Sequence, residues 1–541
     1  MKAGSKSFNR RIKCSAITAT SVVMMMLSIK PGQAFGQINL KPQTMTGIGQ
    51  VDARYLSYNI EAVEITGGRF WKPYKEIDAQ RSARPAQVDE NHTVGMDPAL
   101  FQYRSPINLK NPRLRKLASA LGPAYVRVSG TWRNSTYFQD NNEPTLKTPP
   151  NGFNSVMTRA AWKSVVDFSR VTDAQIVTSF SISSGTRDAQ GVWKPQQAKE
   201  VVEYTQQIGG HIAAAEFMNE PTYAVIGGAP RGYDAAAFAR DAKIFKTFLR
   251  GASPATIFLG PGGVGEGVTL SSPTQMRMLS SEDLMKATGP LFDAFSYHFY
   301  GGVSQRCAEG LAATMGTTAN DALTAEWLDR ANTVEAFYAK LRDTYLPEKP
   351  LWLTETGQTA CGGDKWAAEF VDSFRFLDQL GTLAQQSVKV VMHNTLGASD
   401  YGLLDEETLE PRPNYWAALL WKHTMGTRVL NPGMAPTANL RVFAQCMKAS
   451  KGGVSVLILN LEEKQEQTVQ VSLAGKRYTL SAPALSSKEV WLNGVALKAG
   501  QDGTVPALKG ETVQPGTLHF APLTISFVTF PNAQNASCME P

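Results

Sequence analysis

Histidine and cysteine are scarce in this chain, at six and five residues in 541. No two of them are spaced as ligands on one turn, which argues against a metal site, and no cofactor is expected. An excess of charge of one sign is missing as well. The formal net charge is +7, but Lys2, Lys6, Arg10, Arg11, Lys13 and Lys30 supply six of those charges within residues 1–36, where there is no acid. The remainder carries +1, so attraction to nucleic acid through bulk charge is not supported. Beyond residue 36 no stretch is long and apolar enough to span a membrane. There is no internal repeat and no low-complexity tract.

The N-terminus reads as a secretory signal: basic residues first, then the apolar run Cys14–Ile29, then Ala34-Phe35-Gly36. Arg10-Arg11 resembles the start of a twin-arginine signal, although paired basic residues are common in this position. The expected destination is outside the cytoplasm, secreted or periplasmic. Cys14 leaves with the signal. Cys307, Cys361, Cys446 and Cys538 remain, an even number that fits an oxidising compartment and allows two disulfides in three pairings.

With 43% hydrophobic residues the chain can bury a large core in more than one domain. Eight apolar segments follow one another: 55–62, 124–130, 174–183, 213–220, 256–262, 294–300, 351–356 and 388–396. Amphipathic runs lie between several of them, at 111–121, 240–249 and 367–380. Eight strands alternating with helices predict an α/β fold, a (β/α)8 barrel over residues 51–429. From about 430 to 541 the chain turns strand-like and rich in turns, which predicts a C-terminal β-sandwich, with residues 37–50 a candidate extra segment of it. Cys446 and Cys538 lie at the two ends of that region, and a bridge between them would staple it.

Two strand ends carry the chemistry. Ala213–Tyr223 runs apolar into Asn219-Glu220-Pro221, and Pro221 should stop the strand at Glu220. Leu351–Leu353 leads to Glu355 and a Gly-rich turn. Active sites of α/β barrels sit at the C-terminal ends of the strands. Two carboxylates there, one protonated and one ionised, are what glycoside hydrolysis needs. The plain alternative for either is a solvated strand end.

These residues resemble clan A glycoside hydrolases, and more closely the heparanase and β-glucuronidase family, glycoside hydrolase family 79. Arg54–Glu64 (RYLSYNIEAVE), Leu114–Thr131 (LRKLASALGPAYVRVSGT), Gly397–Leu430 and Arg441–Cys446 (RVFAQC) resemble its segments in the same order. The resemblance implies a retaining enzyme with Glu220 as acid/base and Glu355 as nucleophile. It implies that Asn219 binds the hydroxyl beside the reacting carbon. Tyr300 or His298 would hydrogen-bond near the nucleophile, His298 being equally readable as a core histidine. Glu61, and more weakly Thr131, would hold sugar hydroxyls. Tyr401 and the backbone N–H groups of Gly362 and Gly363 would receive the sugar carboxylate; their bland reading is a packing tyrosine and a turn. It also implies a Cys446–Cys538 disulfide. Cys361 departs from the family pattern, and a Cys307–Cys361 bridge would fix the loop after the sixth strand over the site.

Trp132, Trp193 and Trp366 could stack on sugars, but core is the commoner role for each. Lys110, Arg113, Arg115 and Lys116 could hold sulfates, but at helical spacing they read better as a solvated face. The expected partner is a glucuronide or a glycan containing glucuronic acid, with action on a terminal sugar favoured over internal cleavage. The alternatives are a clan A glycosidase for neutral β-glycosides and a glycan-binding protein without catalysis.

Overall fold

The structure is a computed structural model and describes residues 38–81, 98–224, 226–267, 279–307 and 316–539. The expected signal at 1–36 lies outside the described residues. Among the described residues, eight parallel strands close into a barrel in sequence order. They are β1 (Leu56–Glu61), β2 (Ala124–Ser129), β3 (Ala174–Thr178), β4 (Ile212–Glu216), β5 (Ile257–Gly263), β6 (Ala294–Tyr300), β7 (Leu351–Gly357) and β8 (Val390–His393). A helix follows each strand, from Pro112–Ala120 after β1 to Pro413–Thr424 after β8. The fold is a (β/α)8 barrel joined to a β-rich C-terminal region.

Local chemistry marks where the helices start. Pro112 opens the first barrel helix with Asn111 accepting from the N–H groups of Arg113 and Leu114. Thr158, Asp234, Ser280 and Thr324 cap four others in the same way. Each side chain satisfies an N–H that the helix itself cannot.

Three strands are shorter than the sequence predicts. β4 ends at Glu216, not at Glu220. Beyond Glu216 the backbone groups leave the sheet: the Asn134 side chain accepts from the N–H of Asn219 (2.8 Å) and donates to its carbonyl (2.9 Å). A side-chain amide replaces the neighbouring strand, so residues 217–220 form a bent extension of β4. β3 likewise stops at Thr178, short of the expected 183, and β8 is confined to 390–393.

The C-terminal region holds two sheets. The larger begins with Gly47–Gln50 and Met425–Leu430 and continues through Leu440–Met447, Val454–Asn460, Thr524–Phe530 and Gly475–Ser481. The smaller contains Ile38–Leu40, Gln467–Val471 and Gly516–Phe520. Val442, Val469, Phe520 and Val528 share the core between them. The N-terminal segment thus contributes a strand to each sheet. Cys446 and Cys538 are disulfide-bonded.

The helix after β7, Phe370–Gln385, joins the two parts. Its face is buried almost throughout, and a Cβ at Gly381 would overlap the ring of Phe443 from the larger sheet. Glycine here is a packing requirement that outweighs its poor helix propensity. Replacing it by alanine in an open helix would gain about 1 kcal/mol. Against Phe443 the sign reverses. Gly381→Leu is expected to destabilise the protein by about 1–3 kcal/mol through overpacking. A thermal midpoint equal to that of the wild type would show that this contact does not join barrel to sheet.

Candidate active site

Arg127 stands in the middle of β2 with its side chain 1% exposed. A guanidinium cannot lose its charge readily, so it must be met by acids. Its Nε and Nη2 donate to Glu216 Oε2 at 3.0 and 2.8 Å, and its Nη1 donates to Glu355 Oε2 at 2.7 Å. Nη2 also reaches Asn219 Oδ1 at 2.8 Å. One fork therefore spans β4, the extension beyond it, and β7.

Glu216 is the inner anchor. It accepts from Ser296 Oγ (3.0 Å) and Thr354 Oγ1 (2.7 Å) in addition to Arg127. Burial opposes its charge, but Arg127 and His298 outweigh burial and hold the carboxyl well below the usual range. Its role is to remain an anion.

His298 is paired in register with Glu355 across β6 and β7, so the sheet itself places them side by side. His298 Nδ1 lies 3.1 Å from Glu220 Oε1 and 3.7 Å from Glu355 Oε2. Burial works against a charged imidazole, yet Glu355 and hydrogen bonds to Glu216 and Glu220 raise its pKa to about 9. Arg127, whose Nη2 lies 3.2 Å from Nε2, opposes that charge, but three carboxyls around the ring hold it toward its charged form.

Glu220, just beyond the end of β4, and Glu355, within β7, behave oppositely. Burial and the neighbouring Glu355 charge raise the Glu220 carboxyl above its ordinary value. Burial would raise Glu355 too, but His298, Arg127 and the Tyr300 hydroxyl, which donates to Glu355 Oε1 at 2.7 Å, lower it. The two adjacent carboxyls are thus shifted in opposite directions. Glu220 keeps 18% and Glu355 7% of its side-chain surface exposed, so both open to the mouth. Glu220 also adopts the left-handed conformation, with φ 47° and ψ 65°, held by Asn219 before it and Pro221 after it.

An oxygen of Glu220, one of Glu355 and a His298 nitrogen all lie within 4.8 Å of one another. That spacing would suit a cation. The Arg127 charge already on Glu355 and the raised basicity of His298, whose proton would have to leave, make this a poor metal site.

A polar chain borders the pair. Asn394 Nδ2 donates to Glu61 Oε1 (3.0 Å), Tyr300 OH (3.0 Å) and Tyr401 OH (3.1 Å). Glu61 Oε2 and Asn394 Oδ1 are buried with no partner among the described residues. Burial and Glu355 raise the Glu61 carboxyl well above its usual value. Gly130, at φ 94°, gives Glu61 its room: a Cβ there would overlap Oε2. Thr131 follows Gly130 but, among the described residues, makes no hydrogen bond to these acids. Gly362 and Gly363 form a turn at φ 81° and 80°, and a Cβ on Gly363 would come within 3.1 Å of the Tyr401 nitrogen. The structure thus gathers Glu61, Asn219, Glu220, His298, Tyr300, Glu355 and Tyr401 into one connected network, with the glycine turn against Tyr401.

Arg127, Glu216, Asn134 and Asn394 escaped the sequence reading. Arg127 and Glu216 left a signal, each being a charge inside an otherwise apolar strand. Asn134 and Asn394 left none. Among the tryptophans, Trp193 and Trp366 are core, and Trp132 packs edge-on against Phe70 at 5.0 Å. In the basic run, Lys110 and Lys116 are exposed, as a solvated face requires, Lys116 pairing with Asp502, while Arg113 pairs with Glu410 (2.7 Å) and Arg115 donates to Leu109 O.

Several known proteins share this chain's pattern. Mouse (Mus musculus) heparanase is 27% identical, over 85% of this chain and 92% of its own. A baicalin-beta-D-glucuronidase from Scutellaria baicalensis is 26% identical, over 80% of this chain and 85% of its own. A 4-O-alpha-L-rhamnosyl-beta-D-glucuronidase from Fusarium oxysporum superposes with a TM-score of 0.60 at 12% identity, over 91% of this chain and all of its own, a likeness of fold. Residues 102–381 match the N-terminal domain of glycosyl hydrolase family 79. That match takes in more than half of the sequence, and the chain belongs to glycosyl hydrolase family 79.

Proposed function

We propose that this glycoside hydrolase is a retaining β-glucuronidase in which Glu220 is the acid/base and Glu355 the nucleophile. The observation that carries the reading is the pair itself: carboxyl oxygens within 4.8 Å, with Glu220 shifted up and Glu355 shifted down. Retaining enzymes hold their carboxyls about 5–5.5 Å apart, too close for a water to attack from the opposite face.

In the first step Glu355 attacks the anomeric carbon while Glu220 gives its proton to the departing oxygen, leaving a glucuronyl ester and an ionised Glu220. In the second, Glu220 takes a proton from water, and that water displaces Glu355 with the configuration restored. Tyr300 and Arg127 keep the nucleophile ionised until it reacts. Asn219, fixed by Arg127 and Asn134, is placed to meet the neighbouring hydroxyl. Glu61 and Asn394 each present a buried oxygen without a partner among the described residues, which suits hydroxyls further round the ring.

The relatives named for glucuronidase activity support a uronic acid as the sugar. Tyr401 and the amides of Gly362 and Gly363 are the groups we assign to its carboxylate. They are neutral donors, which suits an anion beside two glutamates better than another acid would. No helix among the described residues is long and apolar enough to cross a membrane. Two disulfides favour an oxidising compartment outside the cytoplasm.

Action on a terminal glucuronic acid fits the near-zero charge beyond residue 36, which offers no basic track for a polyanion. Digestion of a defined oligosaccharide ending in glucuronic acid should release the free sugar first. Internal fragments as first products would refute terminal action.

Glu355→Gln should reduce hydrolysis of an aryl β-glucuronide by more than about a thousandfold, since no covalent intermediate can form. Glu220→Gln should slow a phenyl glucuronide far more than a dinitrophenyl one, whose leaving group needs no proton. Equal losses on both substrates would remove Glu220 from the acid role.

The pH profile follows from the two shifts. Activity needs Glu355 ionised and Glu220 protonated. It should rise as pH passes the lowered Glu355 value and fall as pH passes the raised Glu220 value. Glu220→Gln should flatten the alkaline limb of kcat/KM, and an unchanged limb would assign it to another group.

A further inference from the structure

The chemistry above makes no use of Arg306, whose side chain is completely buried beside the mouth. Its Nε donates to Lys72 O at 3.0 Å. Its Nη1 donates to Cys361 O at 3.3 Å and Gly363 O at 2.6 Å, and its Nη2 pairs with Asp400. The guanidinium lies 4.0 Å over the ring of Tyr74, whose hydroxyl also donates to Gly363 O, at 3.0 Å. One cation therefore ties together the loops that follow β1, β6, β7 and β8. The adjacent Cys307 is disulfide-bonded to Cys361, which anchors the same two loops covalently.

This tie decides where the glycine turn points. Cys361 O is taken by Arg306 and by Ser304 Oγ (3.0 Å), and Gly362 O by the N–H of Asp400 (3.0 Å). In a planar trans peptide the carbonyl and the following N–H point in opposite directions. Arg306 fixes the carbonyl of 361 directly and turns the Gly362 N–H away from itself; it reaches the carbonyl of 362 only through Asp400, which it pairs with and whose N–H turns the Gly363 N–H the other way. Neither N–H has an acceptor among the described residues.

We propose that Arg306, locked by the Cys307–Cys361 disulfide, is a positioning residue that aims the Gly362 and Gly363 amides at the substrate carboxylate and so sets the preference for uronides over neutral glycosides. This rests on the uronide reading of the site. Arg306 does not touch the substrate. It acts through the peptide planes it holds, and the acid and the nucleophile are fixed independently by Arg127 and His298. Its loss therefore weakens binding of the carboxylate and leaves the chemical step in place.

The test compares 4-nitrophenyl β-glucuronide with 4-nitrophenyl β-glucoside. Arg306→Gln should raise KM for the glucuronide by about 10- to 100-fold, because the amide hydrogen bonds to the carboxylate lose their alignment, with kcat within about threefold of wild type. Arg306→Lys keeps the charge but loses the planar fork, and should recover part of the loss. Cys307→Ser/Cys361→Ser leaves Arg306 in place and should raise KM in the same direction by a smaller factor. Glucoside turnover should not fall in any of the three. An unchanged glucuronide KM in Arg306→Gln, or a fall confined to kcat, would overturn the inference. Should Arg306→Gln fail to fold, the double serine variant decides: an unchanged KM there overturns it. Wild-type turnover of the glucoside without the glucuronide would instead refute the uronide reading, and this inference with it.

Discussion

The site depends on one buried interaction, the Arg127 fork between Glu216 and Glu355. A guanidinium at 1% exposure in the middle of a strand is costly unless its donors are met, and here they are met by two carboxylates and an amide oxygen. His298 adds a second cation and Glu216 a permanent anion. With Glu220 protonated, Arg127 and His298 balance Glu216 and Glu355, and the cluster is neutral. In the proposed cycle it stays neutral. When Glu355 becomes an ester its negative charge is lost, and Glu220, having given up its proton, restores one. The net charge carried by these five side chains is therefore the same before and after the first step, which limits how far the local electrostatics must reorganise.

That balance explains why an ionic cluster is kept where a hydrophobic one would pack at least as well. Buried ion pairs add little net stability, because desolvation cancels most of the attraction. Stability comes from elsewhere, from the barrel core and from the seam where Phe370–Gln385 meets the C-terminal sheet. Glu220 adds a further cost of about 1–2 kcal/mol by standing in the left-handed region. A rigid framework holds these unfavourable elements in place, with Asn134 gripping the backbone of Asn219 and Pro221 limiting the other side.

How much of this was legible in the sequence follows from which interactions are local. The eight barrel strands show as apolar runs because parallel strands are buried on both faces. Glu220 and Glu355 show because strand ends in a barrel are functional positions. What escaped depends on contacts between distant residues. Residues 37–50 are a candidate segment of the sandwich from sequence, but Gly47–Gln50 reads GIGQ, with no strand pattern to show that it pairs with Met425–Leu430. The end of β4 was misplaced because Pro221 is a local signal, whereas the Asn134 amide that draws residues 217–220 out of the sheet comes from another loop. Arg127 and Glu216 were visible as misplaced charges, but each explains the other only once the barrel closes.

The division of labour between strands and loops follows the same logic. Of the groups proposed to bear the reaction, Glu355, His298, Tyr300 and Arg127 stand on barrel strands whose register is fixed by hydrogen bonds on both sides, while Glu220 stands just beyond β4 on the extension that Asn134 holds. Groups proposed to choose the substrate, Tyr401 and the 362–363 turn, stand on loops that the barrel does not hold. Loops are mobile by default, and peptide N–H groups can select an anion only if their direction is fixed. Arg306, the Cys307–Cys361 bond and Tyr74 supply to those loops the constraint that register supplies to the strands. The loop glycines could be so constrained only from behind, through their carbonyls, since any side chain at 362 or 363 would collide with Trp71, Arg306 or Tyr401. A turn without side chains, held by a buried cation, is therefore the form a neutral anion receptor takes beside two carboxylates that a second exposed cation would have perturbed.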